Sequence, residues 1–182
     1  MKNGKIIFLN GTSSSGKTTV AKELQNMLDE VYLYFSIDNY LNNLPSKFTG
    51  TYDDFNKVMS EQGSNIIKGF HRMLTAVAKE GNNIILDHLL ESETIVRDCQ
   101  KAFKDIDVLI VGLRCSLEEA ERRESERPDR RKGQARSQYE IIHSYGEYDL
   151  EIDTTSAPIK DNTEKIKEFI SLGKHTNMFW SW

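Results

Sequence analysis

The residues Gly11-Thr12-Ser13-Ser14-Ser15-Gly16-Lys17-Thr18 match the pattern GxxxxGK[ST] in full. Each residue type there has a chemical task. The glycines let the backbone curl until its N–H groups converge on phosphate oxygens. Lys17 has the reach for the outer phosphates of a triphosphate, and the Thr18 hydroxyl is a hard oxygen suited to Mg2+. Gly11 to Thr18, with Thr19 behind them, are the expected nucleotide-binding residues, and Thr18 is the expected metal ligand. The context agrees: a short apolar run, Ile6 to Leu9, precedes the motif, and a helical spacing of apolar residues from Lys17 to Leu28 follows it.

Such a loop serves switch GTPases, motor ATPases and kinases alike. A guanine-reading NKxD is not matched, because the one Asn-Lys pair continues Asn56-Lys57-Val58-Met59. The small size favours a kinase, with ATP and Mg2+ as cofactors. A kinase also needs a group that orients the acceptor hydroxyl and positive charge that stabilises the transferring phosphoryl group. Asp38, read as the end of the second strand, suits the first task as catalytic base. Position alone equally allows a helix N-cap there. The stretch from Arg122 to Arg136 suits the second task. Pro128 and Gly133 break any long helix in it, and a basic flap closing over the triphosphate is expected. Asp87 ends the third strand, where it would support magnesium or touch the acceptor. His88 and His143 are further candidates, while His71 and His175 carry no signal.

Those groups must be carried by a scaffold. Strands are expected at Ile6–Leu9, Val31–Ile37, Asn83–Asp87, Val108–Leu113 and Tyr148–Asp153. Helices are expected between them and after the last: Lys17–Leu28, a long one from Phe55 to Val77 that Gly63 would interrupt, Glu93–Phe103, one from Leu117, Ser137–His143 and Asn162–Leu172. The alternation implies an α/β three-layer sandwich with a central five-stranded parallel sheet, ligands sitting at the strand C-termini. One domain over 1–182 is expected, with a substrate-binding insertion at about 39–64 and a lid at about 122–137. The insertion carries Tyr40, Leu41, Leu44, Phe48, Tyr52 and Phe55, which would either stack on a planar acceptor or pack the loop.

The chain has 182 residues and a formal net charge of −4, which gives no footprint for nucleic acid as a partner. Cys99 and Cys115 form no metal or disulfide pattern and are read as reduced thiols. The longest apolar run near the start is too short for a leader or a membrane span, so no membrane partner and a cytoplasmic placement are expected. The apolar tail Met178–Trp182 is read as packing on the body or as a contact in a homo-oligomer.

Beyond the loop, the chain resembles the chloramphenicol phosphotransferase-like proteins. The likeness rests on Ile6–Gly11, Asp38 with Pro45, Asn83–Asp87, Val108–Cys115 and the segment Tyr139–Thr155, and it spans the chain to about Pro158. The resemblance implies transfer of the γ-phosphate of ATP to a hydroxyl of a small molecule, with Asp38 as catalytic base beside Lys17. It places Arg127, Arg130 and Arg136 in a basic lid, with Arg136 the catalytic candidate. By analogy with related small kinases, Arg123 and residues 155–158 would frame the adenine. Asp38, Tyr40, Leu41, Asp87 and His88 are the expected acceptor contacts. Between Asn39 and Ser64 the sequence departs from the chloramphenicol enzymes, which leaves the acceptor open. Two other readings stand beside this one: a kinase of nucleoside or polynucleotide 5′-hydroxyls, and a nucleotide-binding regulatory protein with little catalysis.

Overall fold

In the computed structural model, which describes residues 2–127 and 132–173, five strands form one parallel sheet in the order β2-β3-β1-β4-β5. They are β1 (Lys5–Asn10), β2 (Tyr32–Ser36), β3 (Asn83–Asp87), β4 (Asp107–Arg114) and β5 (Leu150–Asp153). The apolar runs of β1, β3 and β4 are buried on both faces, as the centre of a parallel sheet between helical layers requires, while the edge strands β2 and β5 are only partly buried. Ile6 and Phe8 of β1 point to a core shared with Phe70, Leu74, Val96 and Phe103. Ile7 and Leu9 point to the opposite core, with Val20, Leu24 and Ile166.

The helices are α1 (Lys17–Met27), α2 (Ile37–Leu41), α3 (Tyr52–Lys79), α4 (Glu93–Phe103), α5 (Leu117–Ser125), α6 (Gln134–Tyr139) and α7 (Ile159–Ser171). Helices α3 and α4 cover one face, α1 and α7 the other. Gly63 does not interrupt α3, which runs through it for 28 residues. The cost of one helical glycine, about 1 kcal/mol, is small against the apolar stripe that α3 buries through Phe70, Leu74 and Ala78. The short helix expected at Ser137–His143 lies earlier, at Gln134–Tyr139. Among the described residues no helix is long and apolar enough to cross a membrane. Arg130 and the tail from Met178 lie outside the described residues.

The chain leaves β1 toward β2 on one side and leaves β3 toward β4 on the other. That reversal opens a crevice above the C-termini of β1 and β3, so the glycine loop and Asp87 share one edge. Gly112 in β4 has a specific role in the packing beside this edge. A Cβ there would lie 2.5 Å from the ring of Tyr148. Gly112→Ala is therefore expected to lower stability by about 1–3 kcal/mol, read as an earlier urea midpoint with an unchanged denaturant slope.

Candidate active site

Strand β1 ends at Asn10 and the loop turns through two left-handed residues, Ser14 (φ 62°) and Gly16 (φ 92°). Gly11 permits close approach, since a Cβ there would fall 2.7 Å from Ser15 Oγ and 2.8 Å from the Leu113 carbonyl. Lys17 folds back and donates to the Gly11 and Thr12 carbonyls at 2.8 and 2.9 Å. Helix α1 begins with no side-chain cap and no acidic residue in its first turn. Helices α3, α4 and α5 instead start on Thr51, Ser92 and Ser116, each accepting from a backbone amide. Uncapped first-turn amides and a positive helix terminus are what an anion needs. The hydroxyl oxygens of Thr12, Ser13, Ser14 and Ser15 are buried without a hydrogen-bond partner. Each such group costs on the order of 1–3 kcal/mol, and four on one loop fit a phosphate chain that would satisfy them.

Thr18 donates to Asp87 Oδ2 at 2.9 Å, and the Tyr34 hydroxyl donates to the same oxygen at 3.2 Å. Asp87 Oδ1 lies 4.0 Å from Lys17 Nζ. Burial, with the Asp87 carboxylate second, raises the Tyr34 pKa, so this phenol stays a donor. A hydroxyl and a carboxylate side by side beside the phosphate loop are a hard-oxygen pair that fits Mg2+.

Two clefts meet at the sheet edge. One, of about 230 Å³, is lined by Ser13, Ser14, Gly16 to Thr19, Asp87, Arg123 and Arg127. The other, of about 400 Å³, lies over α3 and the start of α4 and is walled by Leu41, Met59, Ile67, Lys68 and Ile95, with His88 at its base. Ile37, Asp38, Leu89 and Gln134 line both. Asp38 does not end β2. The strand stops at Ser36, whose Oγ accepts from the Asn39 amide at 3.1 Å and caps α2. Asp38 is thus in the first turn of a helix and is not its cap, and it lines both clefts. Tyr40 lines neither cleft; its ring packs on Phe70 at 4.9 Å between centroids. In a strand positions 38 and 40 would share one face, but a helix turns Asp38 and Leu41 to one side and Tyr40 to another.

The basic residues separate. Arg123 donates to the Thr154 carbonyl at 2.7 Å and to Glu119 at 2.7 Å, beside the phosphate cleft. Arg127 lines the same cleft. Arg136 is held by two hydrogen bonds to Glu121 on the outer side and lines neither cleft. The reason is local: Glu124, almost fully buried, accepts the Gly133 and Ala135 amides at 2.6 and 2.8 Å and so fixes where α6 starts.

Residues 4–171 match the family model described as chloramphenicol phosphotransferase-like protein. The chain belongs to that family. It is 29% identical over 186 residues to a protein of Mycobacterium tuberculosis strain H37Rv whose name gives it, provisionally, as an O-phosphotransferase. That alignment covers 92% of this chain and 83% of the relative. Among solved structures, M. tuberculosis APS kinase in complex with AMPPNP and APS superposes with a TM-score of 0.68 at 18% identity, covering 94% of this chain and 99% of that one. A gluconokinase from Sinorhizobium meliloti 1021 gives 0.62 at 15% identity, covering 96% and 100%. At those identities the likeness is one of fold: this chain has the fold of small P-loop kinases. Family and fold together support a phosphotransferase acting on small molecules.

Sequence spacing gave no hint of several residues that build this phosphotransferase-like site. Gln138 Oε1 accepts the Ser13 amide at 2.8 Å from 125 residues away. Asn10 accepts from the Leu90 amide and donates to the Ile142 carbonyl and the Tyr148 hydroxyl, tying three segments together. His143, one of the candidates, sits behind the loop with Nδ1 at 2.6 Å from the Tyr148 hydroxyl. Burial first and the Arg114 charge second hold its pKa down at about 4. An unfolded histidine titrates near 6.5, so the unfolded chain takes up a proton before the folded one does. Stability is then full at pH 7 and falls as pH drops from about 6.5 toward 4. Discounted for partial exposure, the loss between pH 7 and pH 5 is about 1 kcal/mol. Urea midpoints at the two pH values test this, and His143→Gln is expected to flatten the difference.

Proposed function

We propose that the protein transfers the γ-phosphate of ATP to a hydroxyl of a small molecule, with Asp38 as the base. The observation that carries this reading is that Asp38 lines both the phosphate cleft and the neighbouring cleft over α3. A carboxylate at that junction can hold the acceptor hydroxyl in line with the outer phosphate and take its proton as the bond forms. The loop amides, Lys17 and the first turn of α1 would hold the phosphates. Thr18, with Asp87 behind it, would hold Mg2+, which neutralises phosphate charge when bound. Arg123 and Arg127 supply positive charge on the same side. Lys17 gives up its contacts to the Gly11 and Thr12 carbonyls for phosphate oxygens, and Gln138 yields the Ser13 amide.

The second cleft describes the acceptor. Leu41, Phe55, Met59, Ile67 and Ile95 offer an apolar wall, and Ser64, Lys68 and Ser92 offer polar points. This suits an alcohol with an apolar body. Ser64→Trp is expected to fill the cleft and raise the acceptor KM about tenfold or more, leaving the ATP KM within about twofold; steady-state kinetics against each substrate check this. The acceptor itself is found by incubating the protein with MgATP and a panel of metabolites and antibiotics, chloramphenicol included, and looking by mass spectrometry for a gain of one phosphoryl group. ATP binding with no phosphorylated product from any acceptor would leave a nucleotide-binding regulator in place of an enzyme.

A further inference from the structure

Under the second cleft, three segments bring together a set of side chains to which the proposed transfer assigns no role. His71 of α3, His88 just after β3 and Cys99 of α4 are all buried. Their ligand atoms lie within 4.8 Å of one another. His71 Nε2 is 2.9 Å from His88 Nε2 and 3.3 Å from Cys99 Sγ. On its other side, His71 Nδ1 meets Asp98 Oδ2 at 2.6 Å, and Arg72 holds the second oxygen of that carboxylate at 2.7 Å. The rings of Phe8, Phe70 and Phe103 surround the pair of imidazoles.

As a plain hydrogen-bond network, the cluster does not close: His88 Nδ1 is buried with no partner, while both His88 Nε2 and Cys99 Sγ face the single nitrogen His71 Nε2. The Asp98 carboxylate takes the proton of His71 Nδ1, so His71 Nε2 has one lone pair to offer. Two hydrogens compete for it, the N–H of His88 and the S–H of Cys99. One of them loses its partner inside an apolar core, where unmade hydrogen bonds are costly. A metal removes the contest, because it takes a lone pair from each imidazole and one from sulfur. The carboxylate behind His71 is the usual support of a metal-bound histidine.

We propose that His71, His88 and Cys99 form a binding site for one Cu+ ion, separate from the magnesium position at Thr18. Thiolate with imidazole selects soft and borderline cations. Among the described residues no further His, Cys, Asp or Glu joins the cluster, and three protein ligands suit Cu+ better than structural Zn2+, which takes four. Charge points the same way: Cu+ with one thiolate and two neutral imidazoles is neutral, so the core holds no uncompensated charge. Binding breaks the Cys99 S–H bond, forms a Cu–S bond and releases one proton to solvent, with no change of oxidation state. The ion would pin α3, the segment just after β3 and α4 together, all of which line the second cleft.

The test is an anaerobic titration of the purified full chain with Cu+ against a competing chromophoric chelator, with MgATP present to occupy the phosphate site. One equivalent is expected in the parent and in Cys115→Ser. Affinity is expected to fall on the order of a hundredfold or more in Cys99→Ser, and roughly ten- to a hundredfold in Asp98→Asn, which loosens His71. X-ray absorption of the parent's copper complex is expected to give one sulfur and two nitrogen neighbours, a reading that does not depend on any variant folding. Less than stoichiometric Cu+, a sulfur-free copper environment, equal affinity in Cys99→Ser, or Zn2+ held at these residues while Cu+ is not, would each overturn the assignment. None of these outcomes depends on whether the chain is a kinase.

Discussion

Asp38→Asn is expected to bind MgATP as the parent does and to lose phosphoryl transfer by about two to four orders of magnitude. Asparagine keeps the size and the hydrogen-bonding reach of the side chain but cannot accept a proton from the acceptor hydroxyl. The scaffold should tolerate it: Asp38 lies in the first turn of α2, and the cap that holds that helix is Ser36. Nucleotide affinity is measured with a non-hydrolysable ATP analogue by calorimetry, and transfer by product formation under saturating acceptor. Turnover within about tenfold of the parent would remove Asp38 from the base role. A loss of nucleotide affinity equal to the loss of rate would instead make it a binding group.

Lys17→Met is expected to act on both binding and rate. The ammonium lies at the mouth of the phosphate cleft and is largely buried, with its charge now satisfied by the Gly11 and Thr12 carbonyls and the nearby Asp87. With ATP bound, that charge would move to the outer phosphate oxygens, where negative charge builds up as the phosphoryl group transfers. Removing one such preorganised donor costs about 10²–10³ in rate, and weaker ground-state binding adds to it. Thermal shift supplies an independent reading. At a hundredfold excess over its dissociation constant, MgATP stabilises the parent by about 2.7 kcal/mol, whereas the variant should shift by less than half as much at the same concentration. An undiminished shift would mean that the loop holds phosphate without its lysine.

Much of this molecule was readable along the chain, because some signals are local. Short apolar runs named the buried strands β1, β3 and β4, since the middle of a parallel sheet covered on both faces leaves no polar alternation; β2 was read from its β-branched and aromatic content and β5 from alternation. The bounds of α4 followed from the amphipathic stripe between Glu93 and Phe103. The phosphate loop was readable because each of its residue types serves the loop's own backbone or a phosphate within reach.

Tertiary structure alone decided the rest. Asp38 and Tyr40 stand two positions apart in a segment the sequence left between strand end and loop; the start of a helix at Ile37 sends one to the clefts and the other into the core against Phe70. Arg136 left the phosphate side because Glu124 fixed the start of α6 and Glu121 took the guanidinium. Gln138 reached the Ser13 amide, and His71 met His88 and Cys99, through packing that no spacing encodes. Residue type and short-range period set which chemistry the chain can do and which segments are strands or helices. Which distant side chains face each other follows from sheet order and helix rotation, and those depend on burial summed over the whole core.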